Sequence, residues 1–131
     1  MRIFLTGGTG FLGSNIIKVA LERYGADIFT TVNRWQSAEP VPFVYRAVDI
    51  TDCAALREAV LAYRPDVVIH SAILNDFGRM YDERSLTWRT YVDATRCLCD
   101  AANDVGAKLI FVSTDWVFDG TQGPADETTP P

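Results

Sequence analysis

Basic charge is scarce in this chain of 131 residues: 12 Lys and Arg stand against 17 Asp and Glu, for a formal net charge of -5. Phosphate backbones are held by clustered cations, so no nucleic-acid partner is expected. Long apolar runs are missing as well. No stretch approaches the roughly 18 consecutive apolar residues of a membrane span, and "MRIFLT" breaks into glycine too early to form the core of a secretory leader. The chain is therefore expected in the cytoplasm, without a membrane partner. Three cysteines and one histidine are too few and too dispersed for a metal site. Cys53, Cys97 and Cys99 include a C-x-C whose members point to different sides of a helix, and they read as buried or idle thiols.

What the chain does have is a core-forming composition, 48% hydrophobic, in a length suited to one domain. Short apolar segments alternate with helical ones. "RIFLT" (Arg2 to Thr6) reads as a strand, and a helix follows in which Leu12, Ile16, Val19 and Ala20 recur at helical spacing up to Gly25. "DIFTTVN" (Asp27 to Asn33) and "FVYRAV" are further strands, separated by a proline-bearing loop. Thr51 and Asp52 are candidate caps for a helix with Leu56, Ala59, Val60 and Tyr63 on one face, stopped by Pro65. "DVVIHSA" is a strand without polar alternation, as a sheet covered on both faces requires. A polar and aromatic stretch from Ile73 to Trp88 leads into a helix of roughly Leu86 to Val105, and "KLIFVSTD" is the fifth strand. This alternation predicts an α/β fold: a Rossmann-like, doubly wound parallel sheet with strand order 3-2-1-4-5. Its ligand crevice would lie beyond the carboxyl ends of the strands, where the order reverses.

The glycines of "TGGTGFLGS" fall at that point. Gly7 suits a tight turn after the strand, Gly10 lets a pyrophosphate approach the main chain, and Gly13 lets the helix lie close to the sheet, with the helix amino end offering free N–H groups to the anion. The expected ligand is a nicotinamide dinucleotide. Asn33 stands twenty positions after Gly13, where an NAD site usually has a carboxylate for the ribose, and Arg34 follows it. An arginine clamps a 2′-phosphate that a carboxylate would repel, so NADP is expected in preference to NAD.

"TGGTGFLGS" (Thr6 to Ser14), "DITD" (Asp49 to Asp52), "RPDVVIHSA" (Arg64 to Ala72) and "FVSTDWVFDG" (Phe111 to Gly120) together resemble the extended short-chain dehydrogenase/reductase family. The last of these, with "PADETTPP" after it, is similar to the dTDP-4-dehydrorhamnose reductase, or sugar-nucleotide-binding, branch. The resemblance implies that Thr6, Gly7, Gly10, Phe11, Leu12 and Gly13 form the cofactor turn. It further implies that Asp49 and Ile50 flank the adenine and that Ser71 and Ala72 line the ribose through their main chain. Thr114 would be the hydroxyl member of a Thr/Ser-Tyr-Lys catalytic set, and the substrate a nucleotide-linked keto sugar. Two positions depart from the pattern: Tyr91 stands where an asparagine normally braces the site, and Trp116 where the branch usually shows tyrosine. His70, at the end of the fourth strand, reads as a strand-end residue near the cofactor rather than a catalytic one.

The catalytic tyrosine of that family sits in a Tyr-x-x-x-Lys turn, where the ammonium lowers the phenol pKa. No such pair occurs here; the lysines are Lys18 and Lys108. Residues 1–119 are thus expected to form a partial dinucleotide-binding domain and residues 120–131 a loop leading to an absent catalytic helix. The carboxyl-terminal strands and substrate lobe are expected to be missing, the chain to be inactive alone, and its exposed fifth strand to favour self-association. An NAD-dependent epimerase or dehydratase, and a non-catalytic NADP-binding module such as the reductase-like regulatory subunit of methionine adenosyltransferase, remain open as alternatives to a reductase.

Overall fold

A computed structural model describes residues 1–34, 37–114, 118, 120–121 and 123–130. Strands β1 (Arg2–Thr6), β2 (Asp27–Val32), β3 (Val44–Ala47), β4 (Val67–His70) and β5 (Lys108–Phe111) form one parallel sheet in the order β3-β2-β1-β4-β5. The Rossmann-like architecture expected from the alternation is therefore present. β1 lies at the centre, paired with β2 through Ile3↔Ile28 and with β4 through Ile3↔Val67.

Side chains alternate across a strand, so β1 feeds two cores. Phe4 joins Leu56, Val60, Val68 and Leu98 beneath helices α2 (Cys53–Tyr63) and α5 (Ala94–Val105). On the other face, Ile3 and Leu5 pack with Ile17, Ala20 and Ile28 beneath helix α1 (Phe11–Tyr24). The Phe4 and Phe29 rings stack at 5.2 Å, and Tyr63 closes on Phe29 at 5.3 Å, which ties β1, β2 and α2 together.

The two long amphipathic helices differ in how well spacing located their buried faces. In α2 the Asp52 carboxylate accepts from the Ala55 amide at 3.0 Å, and Leu56, Ala59, Val60 and Tyr63 are all buried, as their period predicts. In α1 the buried residues are Gly13, Ile17 and Ala20, whereas Leu12 and Val19 are exposed. The inward face is turned by about one residue because Gly13 must seat against the turn that precedes it.

Between β4 and α5 the chain is more regular than its composition suggests. Helices α3 (Phe77–Asp82) and α4 (Arg84–Trp88) are followed by a π-helical turn at Arg89–Asp93 that runs into α5. Asp76 caps α3 by accepting from the Arg79 amide at 3.0 Å, and Arg79 Nε donates to Glu83 Oε1 at 2.8 Å. The cysteine expectation is corrected here. Cys53 and Cys97 form a disulfide, because α2 and α5 pack side by side and bring the two Cα atoms to 5.8 Å. Cys99 is a free thiol.

Among the described residues no helix is long and apolar enough to cross a membrane, and no group of His, Cys, Asp and Glu could hold a metal ion.

Leu56 is fully buried between α2, the sheet and α5. Leu56→Ala is expected to lower the unfolding free energy by about 2–5 kcal/mol, read as a reduced midpoint in urea denaturation with an unchanged slope.

Candidate functional site

The chain leaves β1 at Thr6 and turns into α1 within four residues, and that elbow is built from backbone contacts. Gly7 has φ +78°, and a Cβ on it would lie 2.9 Å from both Ala72 Cα and Ala72 N. Its carbonyl accepts from the Gly10 amide at 3.0 Å, closing the turn. A Cβ on Gly13 would run into Gly7 O and lie 2.7 Å from Gly8 Cα. Gly13 thus permits close seating of α1 on the glycine turn itself, a more local role than the helix-to-sheet contact expected for it.

Gly10 is different. Its backbone is extended, with φ -78°, and a Cβ there would meet one protein atom within 4 Å, Gly7 O at 3.3 Å. That single contact is tight but far milder than those at Gly7 and Gly13, and the position opens onto a cleft. Gly10 is also the N-cap of α1, with no side-chain cap bond and no acidic residue in the first turn. The first intrahelical bond runs from the Ser14 amide to Gly10 O. The amides of Phe11, Leu12 and Gly13 precede it and have no carbonyl within the helix to accept them. The positive end of the helix dipole is left uncompensated beside the cleft.

The cleft has a volume of about 630 Å³ and lies over the carboxyl ends of β1, β2 and β4, where the strand order reverses. Its floor comes from the elbow: Gly7, Gly10, Phe11, Leu12 and Gly13. Phe11 leaves 90% of its surface exposed there. Toward β3 the walls are Asn33, Arg34, Asp49 and Ile50, and toward β4 they are Ser71 and Ala72. Asp49 Oδ1 is held by the Thr51 amide at 2.9 Å and the Thr51 hydroxyl at 2.8 Å, which fixes the turn after β3. Of the expected binding residues, Thr6 alone does not line the cleft; it is fully buried behind Ser71 and Ala72. Thr114 lies on the loop after β5, also outside the lining. Trp116 is outside the described residues.

Thr9, inside the glycine motif, also lines the cleft, and Asn75, Arg79, Leu86 and Thr90, which no motif announced, close the side above β4. Gly8 is buried behind the floor, its amide donating to Thr30 Oγ1 at 3.2 Å, and Thr30 Oγ1 in turn donates to Leu5 O at 2.9 Å. That pair links β2 to the elbow, and a second glycine in "TGG" was the available signal for it.

His70 sits beside the elbow rather than in the cleft. It is 2% exposed, its Nδ1 lies 2.7 Å from Thr6 Oγ1, and its ring packs against Phe111 at 5.6 Å. Burial holds its pKa down to about 4. Tyr91, the departure from the family asparagine, points the other way: its hydroxyl donates to Leu74 O at 3.2 Å and so braces the loop after β4.

The sequence model of the RmlD substrate binding domain matches residues 1–131. The chain belongs to that family. A dTDP-4-dehydrorhamnose reductase of Streptomyces griseus is 34% identical to this family member over 93% of the chain and 36% of its own length. Methionine adenosyltransferase 2 subunit beta of Xenopus laevis is 32% identical over 99% of the chain and 37% of its own length. Among solved structures, the Bordetella bronchiseptica enzyme WbmG in complex with NAD and UDP superposes with a TM-score of 0.84 at 28% identity, covering 99% of the chain and 43% of that protein. The chain therefore spans little more than a third of the length of the curated relatives it matches.

The lowered His70 pKa carries a sign. Between about pH 4 and 6.5 the unfolded histidine takes up a proton that the folded one refuses, so stability falls as pH drops through that window. The loss should be about 3 kcal/mol, and His70→Gln should flatten that component of unfolding free energy against pH.

Proposed function

We propose that the cleft binds a nicotinamide dinucleotide and that this chain is the cofactor-binding part of an oxidoreductase acting on a nucleotide-linked sugar. The observation that carries this reading is Gly10. A side-chain-free residue that lines the cleft and is crowded by Gly7 O alone, at an uncapped helix amino end with no acidic residue in its first turn, leaves room and donors for a diphosphate. In this reading the first-turn amides hold the pyrophosphate. The adenosine lies toward β3 between Asn33, Asp49 and Ile50, and the second ribose rests on the Ser71–Ala72 main chain.

Bound there, the cofactor supplies a hydride to a carbonyl carbon. Thr114 would donate a hydrogen bond to the oxygen that becomes alkoxide. A 4-keto-6-deoxy sugar on a nucleotide, the type of substrate named by the reductase relatives, is the proposed acceptor. NADP is the proposed cofactor. Arg34 is the cationic residue of the β3 side of the cleft, while Asp49, the carboxylate nearby, is turned onto Thr51. The similarity to a methionine adenosyltransferase subunit supports a second reading, in which the same cleft binds dinucleotide without turnover. The full-length protein distinguishes them: oxidation of NADPH by a dTDP-linked keto sugar supports the enzyme, and dinucleotide binding with no turnover supports the module.

Calorimetric titration of the chain is expected to show tighter binding of NADPH than of NADH. Arg34→Ala should weaken NADPH by about tenfold, the worth of one charged hydrogen bond, and leave NADH almost unchanged. Tighter NADH binding that is indifferent to Arg34→Ala would overturn the NADP assignment. A second expectation concerns β5, a sheet edge on which Ile110 and Phe111 are 43% and 47% exposed. The isolated chain should self-associate through it, seen in sedimentation velocity as a concentration-dependent shift that Ile110→Lys removes.

A further inference from the structure

His70 is neither in the cleft nor merely part of the core, and hydrogen-bond counting around Thr6 shows what it does. A threonine hydroxyl has one proton and two lone pairs. Thr6 Oγ1 is approached by the Ser71 amide at 3.2 Å and the Ala72 amide at 3.2 Å, both of which can only donate. The remaining neighbour is His70 Nδ1 at 2.7 Å. With both lone pairs taken, the hydroxyl proton must go to that nitrogen, so Nδ1 is the acceptor and the ring proton sits on Nε2. The groups set against the ring, Thr6 from β1 and Phe111 from β5, carry no charge that would alter this assignment.

We propose that His70 is a positioning residue: as a neutral acceptor it orients the Thr6 hydroxyl, which in turn fixes the Ser71–Ala72 peptide that forms one wall of the cleft. The wall has little freedom to move. Ala72 already approaches Gly7 so closely that no Cβ fits between them, and Ser71 Oγ adds a second tie by donating to Thr6 O at 2.8 Å. A hydroxyl turned away from His70 would present its proton to two N–H groups, repel them and push Ala72 off the elbow. The position of the main chain that receives the cofactor ribose is therefore set from behind, by a pair that never touches the ligand.

This inference rests on the dinucleotide reading only for its effect on binding. The chain contains a single histidine, so a long-range ¹H–¹⁵N correlation spectrum at pH 7 reports its tautomer without overlap. The expected result is an unprotonated Nδ1 and a protonated Nε2; a proton on Nδ1 overturns the proposal whether or not any cofactor binds. Thr6→Val should move the Ser71 and Ala72 amide resonances and weaken NADPH by about tenfold, the effect of a lost buried acceptor, and Thr6→Ser should restore both. Should Thr6→Val fail to fold, the tautomer and the Thr6→Ser spectrum still decide. If the parent chain binds neither NADPH nor NADH, the proposed function fails while the tautomer result stands. If the parent binds and Thr6→Val binds equally well, the positioning role is wrong.

Discussion

The constraint on which this structure turns is the contact of Gly7 with Ala72, where two main chains meet with no space for a side chain. β1 is flanked on both sides by parallel partners, so the peptide leaving its carboxyl end has to clear the peptide leaving β4 beside it. A left-handed glycine is the low-cost solution. It turns the chain sharply enough for α1 to begin four residues after the strand, which sets the helix amino end over the sheet and not beyond it. The cleft, its dipole and its two flanking walls all follow from that one bend.

Electrostatics then decides what such a bend is for. An uncapped helix start would ordinarily acquire a Ser, Thr, Asp or Asn at the N-cap, or a carboxylate in the first turn. α1 has Gly10 and none of these, whereas α2 in the same chain is capped by Asp52 and α3 by Asp76. The uncapped amino end of α1 is the one that opens onto the cleft. The Ser14 and Asn15 side chains do not turn to the open amides; both donate to Phe11 O, at 3.0 and 2.7 Å. The stabilisation forgone is about 1 kcal/mol for a cap, and the open amides are left facing the cleft.

Much of this was legible in the residues, and the exceptions have physical causes. Strand order came through because apolar segments alternate with amphipathic ones and crossovers have one hand. The buried face of α2 came through because packing against a flat sheet preserves the helical period. The period misled at α1, where Leu12 opens onto the cleft and Gly13 is buried against the turn: hydrophobicity marks the core only where no cleft occupies the same face. α3 was invisible because a six-residue helix has no period to detect, and what makes it is the Asp76 cap together with the Arg79–Glu83 pair. The Cys53–Cys97 disulfide was invisible for another reason. Forty-four residues separate the two, and only the docking of α2 on α5 brings them together. Gly8 and Thr30 went unremarked since their bond joins a turn to a neighbouring strand, a pairing no local spacing encodes.

Tyr91 shows how a departure from a family pattern can be absorbed without losing the wall it alters. An asparagine at that position would brace the site from within. Here the chain passes through a π-helical turn at Arg89–Asp93, which carries one more residue per turn than its surroundings. Thr90 is buried and lines the cleft, while Tyr91 faces the outer groove beside Arg96 and Phe111 and reaches back to Leu74 O. The loop after β4 is therefore held at both ends, by Thr6 at Ser71 and Ala72 and by Tyr91 at Leu74, with neither anchor entering the cleft.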